Sequence, residues 1–488
     1  FSMRLSELFR EVEFDGSIKN DADINLVTDD SRLVRPGSLF VCIRHRSFDG
    51  HTAAVDALAS GAAAVVTQDR LGLENELRVV NSRSAYARLC AALCNHPERK
   101  LRMIGVTGTN GKTTVTTLVR NILSDSGTKT LLTGTVCNRL GDENLPSGLT
   151  TPKPPELYSL LSRAVPQGCK ACVMEASSQA LAQGRLEGID FDAAVFTNIT
   201  RDHLDYHGTF ENYISAKKKL FEHSALSIVN LDDPRANEII AASKGKIITF
   251  STVLDCADYT AKNISLLSDC VRFELVSKGH IEHIEFASPG LFSVSNAMAA
   301  AVCAINLGIE PKDAAQSLAK SKSVCGRLER VECSAPYSVI IDYAHTPDGL
   351  EQVLRALRPS CRGKLIVLFG CGGDRDRTKR PLMGAAACKY ADKIIVTSDN
   401  PRSEDPIKII GDILKGTDKK RRDLFVEPDR RKAIALALKT AEPGDTVLLA
   451  GKGHEKYQLI GGEKLPLDER ETVRKILGLP HDTGRKKQ

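Results

Sequence analysis

The segment Gly105-Val106-Thr107-Gly108-Thr109-Asn110-Gly111-Lys112-Thr113-Thr114 constrains this chain more than any other. It follows an apolar run, residues 102–106 (RMIGV), that reads as a buried strand, and it leads into a helical pattern over 113–124. A glycine-rich turn between strand and helix is a phosphate cradle. Glycines let the backbone approach closely, and successive N–H groups at the helix N-terminus hold negative charge. Lys112 is placed to reach the β- and γ-phosphates of a nucleotide, and the Thr113 hydroxyl to bind Mg²⁺. The pattern is the short GxxGK[ST] form, because Val106 stands where the longer form has its first glycine.

Strand and helix patterns alternate along the 488 residues, which predicts an α/β protein of three domains. Residues 1–99 hold short apolar strands at 38–43 and 63–66, with helical stretches at 51–60 and 84–95, a small N-terminal α/β domain. Residues 100–330 carry the phosphate loop and further strands at 171–174, 193–196 and 226–230. That predicts a mostly parallel sheet with helices on both faces. Residues 331–488, with strands at 338–341, 364–369, 393–396 and 446–450, predict a C-terminal Rossmann-like domain.

Composition excludes several classes. Net charge is only +6, aromatic residues are 5% and Trp is absent, so neither a basic face nor a base-stacking platform is expected, and no nucleic-acid partner. The basic runs Lys419-Lys420-Arg421-Arg422 and Arg485-Lys486-Lys487 read as solvated surface. No apolar run approaches the ~18–20 residues of a membrane span, so no membrane insertion is expected. The 14 Cys are scattered. The one CxxC, Cys169–Cys172, has no second pair at zinc spacing and reads as core packing. Reduced cysteines and the lack of a signal-peptide pattern predict a cytoplasmic location.

Glu175 ends an apolar strand, where a metal-binding carboxylate belongs in an open α/β sheet. The next apolar strand leads into Asn198-Ile199-Thr200-Arg201-Asp202-His203-Leu204-Asp205-Tyr206-His207. Its two Asp and two His point to metal or phosphate chemistry, with ordinary turn chemistry as the alternative. Lys217 sits among three lysines on a helical pattern and by composition reads as a solvated face. Like-charged neighbours can lower a lysine's pKa, and a neutral amine can take up CO₂ to give a carbamate, an oxygen ligand for Mg²⁺. The sequence permits this without selecting Lys217.

TGTNGKTT, MEASSQAL, TNITRDHLDYHG and AKKKLF, in that order, resemble the Mur ligase family, which extends the peptide stem of peptidoglycan precursors. The resemblance spans nearly the whole chain. It includes Asp30-Ser31-Arg32, Thr150-Thr151-Pro152, Asn296 in SVSNAMAA, Gly326-Arg327 in CGRLE, and Asp342-Tyr343-Ala344-His345. Asp399-Asn400-Pro401-Arg402 and Gly451-Lys452-Gly453-His454-Glu455 resemble the diaminopimelate-adding members in particular. QAL after the two serines departs from the HAL of many relatives and leaves the contacts of Ser177 and Ser178 open.

The resemblance implies an ATP- and Mg²⁺-dependent amide ligase, monomeric. It would add meso-diaminopimelate to UDP-MurNAc-L-Ala-D-Glu through an acyl phosphate. Gly108, Thr109, Asn110, Gly111, Lys112, Thr113 and Thr114 would bind ATP, joined by Asn296, Arg327 and Asp342. Thr113, Glu175, His203 and carbamylated Lys217 would hold metal, and Lys112, Glu175, His203 and Lys217 would form the catalytic set. Ser31, Thr150, Thr151, Ser177 and Arg185 would grip the UDP precursor. Arg375, Asp399, Asn400, Pro401, Arg402, Gly451 and Glu455 would bind diaminopimelate. A planar Arg402 guanidinium suits the carboxylate that separates this amino acid from lysine. The alternatives are a lysine-adding, D-Ala-D-Ala-adding or folylpolyglutamate ligase on the same fold and, in another class, a nucleotide-hydrolysing switch.

Overall fold

The computed structural model describes residues 2–480 apart from 46, 268, 419 and 420. Lys419-Lys420 and the run 485–487 therefore lie outside the described residues. Arg421 is not on a solvated face. It donates to the carbonyls of Cys388, in the last turn of helix Lys379–Tyr390, and of Asp392 just beyond it, each at 2.8 Å.

Three larger sheets carry most of the described residues, beside two two-stranded ones. The first is parallel and four-stranded: Leu26–Thr28, Ser38–Val41, Ala62–Thr67 and Glu76–Arg78, in chain order. The stretch expected as one helix over 51–60 is a 3₁₀ turn, Gly50–Ala53, followed by helix Ala54–Ala59. Asp49 caps the turn through its side chain and His51 N–H, which starts the coil one residue early.

The second sheet has eleven strands. Its centre is parallel. Arg102–Thr107 is flanked by Ala171–Glu175 on one side and Ala193–Phe196 on the other, and Leu226–Asn230 and Lys246–Ser251 continue outward. The chain leaves Arg102–Thr107 toward one edge and later returns to build the other. The C-terminal end of that strand is therefore a topological switch point, where such sheets bind ligands. Antiparallel pairs finish both edges; on one, Tyr259–Leu266 joins Lys246–Ser251 in parallel, then Val271–Ser277 and His280–Phe286 follow antiparallel. Helix Lys112–Asp125 buries Val115, Leu118, Val119, Ile122 and Leu123, the i, i+3, i+4, i+7, i+8 stripe of an amphipathic helix. Each of these side chains stabilises the fold by about 2 kcal/mol. The stripe packs on the Ala-rich helix Leu291–Asn306.

The third sheet runs Glu329–Arg330, Ser338–Asp342, Thr446–Ala450, Leu365–Phe369, Lys393–Val396, Leu424–Val426. All neighbours are parallel except the first pair. Cys169 and Cys172 are buried in apolar packing, as their spacing predicts.

Candidate active site

The loop after Arg102–Thr107 fits a phosphate. Gly111 has φ +87°, the left-handed region that favours glycine, and a Cβ there would lie 2.4 Å from Asn296 Oδ1. A Cβ on Gly108 would lie 1.9 Å from Thr197 Oγ1. No side chain caps the helix that begins at Lys112, so its first N–H groups are left for a ligand. Asn198 Oδ1 accepts from Asn110 N–H at 2.9 Å, and Thr197 Oγ1 donates to Asn110 O at 2.6 Å, fixing the loop from the next strand end. Lys112 folds back onto the carbonyls of Gly108 and Thr109 at 2.8 and 2.9 Å.

Arg327, 214 residues away in sequence, donates to Thr113 Oγ1 at 3.1 Å while its guanidinium lies 4.6 Å from the Tyr343 ring centroid. Asp342, at the end of strand Ser338–Asp342, accepts from Leu328 and Ala344 N–H at 2.7 Å each. Burial raises its pKa against the pull of Arg327. These groups and Asn296 line one cavity of about 200 Å³ with the loop. Asp348, which lines a neighbouring cavity, braces the loop: its carboxylate accepts from Asn110 Nδ2 at 3.0 Å, a contact the sequence reading missed.

Glu175 is 1% exposed, at the end of its strand. It accepts from Thr113 Oγ1 at 3.1 Å, Thr135 N–H at 2.7 Å and Thr135 Oγ1 at 3.0 Å. Among the described residues no three His, Cys, Asp or Glu side chains converge into a metal cluster. The donors at this spot are one hydroxyl and one carboxylate side by side, a set that suits a hard cation also held by phosphate oxygens.

Lys217 overturns the solvated-face reading. It is 1% exposed. Its helix, Phe210–Glu222, also buries Tyr213, Ile214, Leu220 and Phe221, so position 217 lies on the inward face. Nζ donates to Gly108 O at 2.8 Å and lies 4.6 Å from the Tyr213 ring. Burial, reinforced by Lys112, holds its pKa well below the usual lysine value. His203 has φ +54° and faces Asp202, Nε2 to Oδ2 3.3 Å. Its enclosure and the charge of Lys112 lower its pKa to about 4, outweighing Asp202.

Thr151 is buried and bonds three neighbours. Its Oγ1 donates to Glu175 O at 2.6 Å and accepts from Ser177 N–H at 3.0 Å, and its carbonyl accepts from Arg185 at 2.8 Å. Thr150 and Ser177 line the first cavity beside them. Ser177 caps helix Ser178–Ala182, whereas Ser178 Oγ meets His207 Nε2 at 3.0 Å. Ser31 lines neither cavity described here. Two residues before it in the chain, Asp29 Oδ2 lies 3.5 Å from Lys153 Nζ.

A second cavity, about 140 Å³, opens at the C-terminal ends of Leu365–Phe369, Lys393–Val396 and Thr446–Ala450. Arg375, Asp399, Asn400, Arg402, Gly451 and Glu455 line it. Pro401 does not, but its carbonyl approaches Gly373 too closely for any Cβ there. Arg402 has φ +54°, a left-handed backbone costing ~1–2 kcal/mol. Bonds from Arg402 N–H to Leu459 O at 3.0 Å and from Gly461 N–H to Arg402 O at 2.8 Å hold it so. One guanidinium nitrogen donates to Gly373 O at 2.7 Å. Among the described non-glycine residues with positive φ, the four of type His, Leu, Asp or Arg near these cavities are His203, Leu328, Asp374 and Arg402. Strain kept at such positions is strain the surrounding structure over-determines. Burial tends to raise Asp399, yet Lys452 and Arg430 keep its pKa below the usual value.

The two cavities meet. Asp202, His203, Tyr343 and His345 line both. Arg375 Nη1 stands 3.9 Å from Asp205 Oδ2 across the same junction, and Lys379 donates to His345 O at 2.9 Å. The sequence reading did not single out Lys379, and gave Tyr343 only within the run 342–345.

A P-loop at a switch point, joined through a shared wall to an amino-acid-sized cavity on a second sheet, defines a ligase architecture. The Mur ligase middle domain matches residues 106–304, the glutamate ligase domain of Mur ligases residues 326–453, and the Mur ligase family catalytic domain residues 23–96. The chain belongs to the Mur ligase family. The UDP-N-acetylmuramoyl-L-alanyl-D-glutamate–2,6-diaminopimelate ligase of Caldanaerobacter subterraneus subsp. tengcongensis is 43% identical over 479 residues, covering 97% of this chain and 99% of that protein. The enzyme of the same name from Clostridium tetani is 40% identical over 488 residues, covering 97% and 99%. A solved structure of a ligase of that name aligns with TM-score 0.71 at 35% identity, over 98% of this chain and 99% of that one.

Proposed function

We propose that this chain adds meso-diaminopimelate to the D-Glu γ-carboxylate of UDP-MurNAc-L-Ala-D-Glu, at the cost of ATP, in peptidoglycan precursor synthesis. The observation that carries this is the common wall of the two cavities. An acyl phosphate formed on the P-loop side would face an amine held on the other.

In this reading the loop N–H groups, Lys112 and Arg327 hold the triphosphate, with Asn296, Asp342 and Thr114 around the nucleotide. Thr150, Thr151, Ser177 and Arg185, with Ser31 at the far end, hold the precursor so that its free carboxylate meets the γ-phosphorus. Transfer of the phosphoryl group gives ADP and an acyl phosphate, a far better acyl donor than a carboxylate. Thr113, Glu175, His203 and carbamylated Lys217 would hold Mg²⁺. When bound, the metal neutralises charge on the transferring phosphoryl oxygens. Arg375, Asp399, Asn400, Arg402 and Glu455 orient diaminopimelate, with Gly451 and Pro401 shaping the backbone around it. The amine attacks the acyl carbon, and the tetrahedral adduct expels phosphate to leave the amide. His203 lines both cavities and is kept for the metal, so the amine's proton leaves with the departing phosphate. Tyr343 and His345 close the same wall against water, which would hydrolyse the intermediate.

The test is phosphate release with ATP, Mg²⁺ and UDP-MurNAc-L-Ala-D-Glu, with meso-diaminopimelate or L-lysine added in parallel. Release dependent on diaminopimelate is expected. Release indifferent to any amine would replace the ligase by a nucleotide-hydrolysing switch.

Carbamylation of Lys217 has its own readout. A buried amine kept neutral is nucleophilic toward CO₂, and the carbamate restores a charge that metal can pair. With ¹³C-bicarbonate, NMR of the full chain should show one carbamate carbon that vanishes in Lys217→Ala. Turnover of that variant should fall about a hundredfold or more. A spectrum identical in wild type and variant would remove Lys217 from the metal site.

A further inference from the structure

Lys452 is buried directly beneath the amino-acid cavity, and the reaction as derived gives it no task. It is fully buried. Its Nζ donates to Glu455 Oε2 at 2.7 Å and Asn400 Oδ1 at 2.9 Å, and lies 3.8 Å from Asp399 Oδ1. These contacts fix the two side chains above it. Asn400 Oδ1 also accepts from Leu459 N–H at 2.9 Å, while its Nδ2 donates to Glu455 Oε2 at 2.9 Å. An ammonium on one end of the amide and a carboxylate on the other allow only one orientation, because a flipped Asn400 would set its NH₂ against the Lys452 donor. Glu455 Oε2 receives both bonds, and Oε1 receives neither.

Charge follows from the same contacts. Asp399 and Glu455 face one buried ammonium, and Arg430, which also acts on Asp399, is paired with Glu469 at 2.8 Å, so one negative charge remains among these groups at the cavity wall. Arg402 presents the opposite sign on the same wall. A wall with one spare anion beside one guanidinium complements a zwitterionic amino-acid head, an ammonium and a carboxylate on one carbon.

We propose that Lys452 is a positioning residue for the acceptor. It locks Asn400 and Glu455 so that Glu455 Oε1 receives the distal ammonium of the amino acid while Arg402 receives its distal carboxylate. The assignment rests on diaminopimelate being the acceptor. It adds which buried group sets the ammonium half of the recognition.

The experiment compares meso-diaminopimelate with 2-aminopimelate, which keeps the distal carboxylate and lacks the distal ammonium. Phosphate release is measured on the full chain with ATP, Mg²⁺ and UDP-MurNAc-L-Ala-D-Glu. Lys452→Met removes the charge and keeps the length. It should lower kcat/KM for diaminopimelate by about 30-fold or more, chiefly through KM, because each remaining carboxylate loses its partner. The KM values for ATP and precursor and the rate with 2-aminopimelate should stay within about twofold, and Lys452→Arg should recover part of the preference. Equal losses with both acceptors, or no loss with either, would overturn the proposal. If Lys452→Met melts well below the wild type, Glu455→Gln decides: the proposal requires it to lose the same preference, and a preference kept would overturn it. Wild-type chain that releases no phosphate with either acceptor would sink the diaminopimelate reading itself, before Lys452 is tested.

Discussion

Lys112→Met should lower diaminopimelate-dependent phosphate release by about a thousandfold while leaving the melting temperature nearly unchanged. The structure says why both halves belong together. Among the described residues, the Lys112 ammonium is hydrogen-bonded to two carbonyls of its own loop. Burial lowers its pKa, as does the charge of Arg327, against the opposing pull of Glu175 and Asp202. Such a group contributes little to folding, since its desolvation and its hydrogen bonds nearly cancel. In the proposed reaction it would face phosphoryl oxygens, where no other side chain of the loop carries positive charge. Methionine keeps the aliphatic stem and loses that charge. Steady-state phosphate release and thermal unfolding of the same preparation check the prediction. A loss below tenfold would mean that Arg327, donating to Thr113 Oγ1 at 3.1 Å, carries the phosphate charge instead.

Much of this was legible in the residues. Strands Ala193–Phe196, Leu226–Asn230, Lys393–Val396 and Thr446–Ala450 lie where the apolar runs place them. Each is a fully buried parallel strand bounded by polar turns, the pattern that is hardest to misread. The helix predicted over 113–124 is Lys112–Asp125. The antiparallel strands Val271–Ser277 and His280–Phe286 escaped notice because charged residues interrupt their apolar character. Yet Val271, Phe273 and Leu275 alternate with exposed or half-buried neighbours, the period-two signal of a strand covered on one side. Lys217 shows the limit of composition. Three adjacent lysines suggest water, but the spacing from Tyr213 and Ile214 to Leu220 and Phe221 puts only the first of them inward. Lys452 left no such trace. Flanked by glycines in a loop, its burial depends on where strands Lys393–Val396 and Thr446–Ala450 bring their following loops, and that is a property of the sheet order.

With Arg402 reading the distal carboxylate, as proposed, Arg402→Ala should cost about 3 kcal/mol with meso-diaminopimelate, roughly 150-fold in kcat/KM. With L-lysine the same variant should lose almost nothing. Lysine lacks the distal carboxylate, so the guanidinium has no partner there in the wild type either. The gap between the two acceptors should therefore close from one side only. Alanine is the right probe because it keeps a Cβ, and hence the left-handed strain at φ +54°, while removing the fork. The backbone bonds to Leu459 and Gly461 do not involve the side chain and hold the loop in place. Arg402→Lys should restore little. One guanidinium nitrogen is already committed to Gly373 O at 2.7 Å, so the geometry uses one edge of the fork to brace the other, which a point charge on a flexible stem cannot do. Arg375, on the same wall but 3.9 Å from Asp205, shares its charge with the opposite side of the junction and is a weaker determinant. Parallel losses with both acceptors would assign Arg402 to the shape of the loop, and the carboxylate would then have to be read by Arg375.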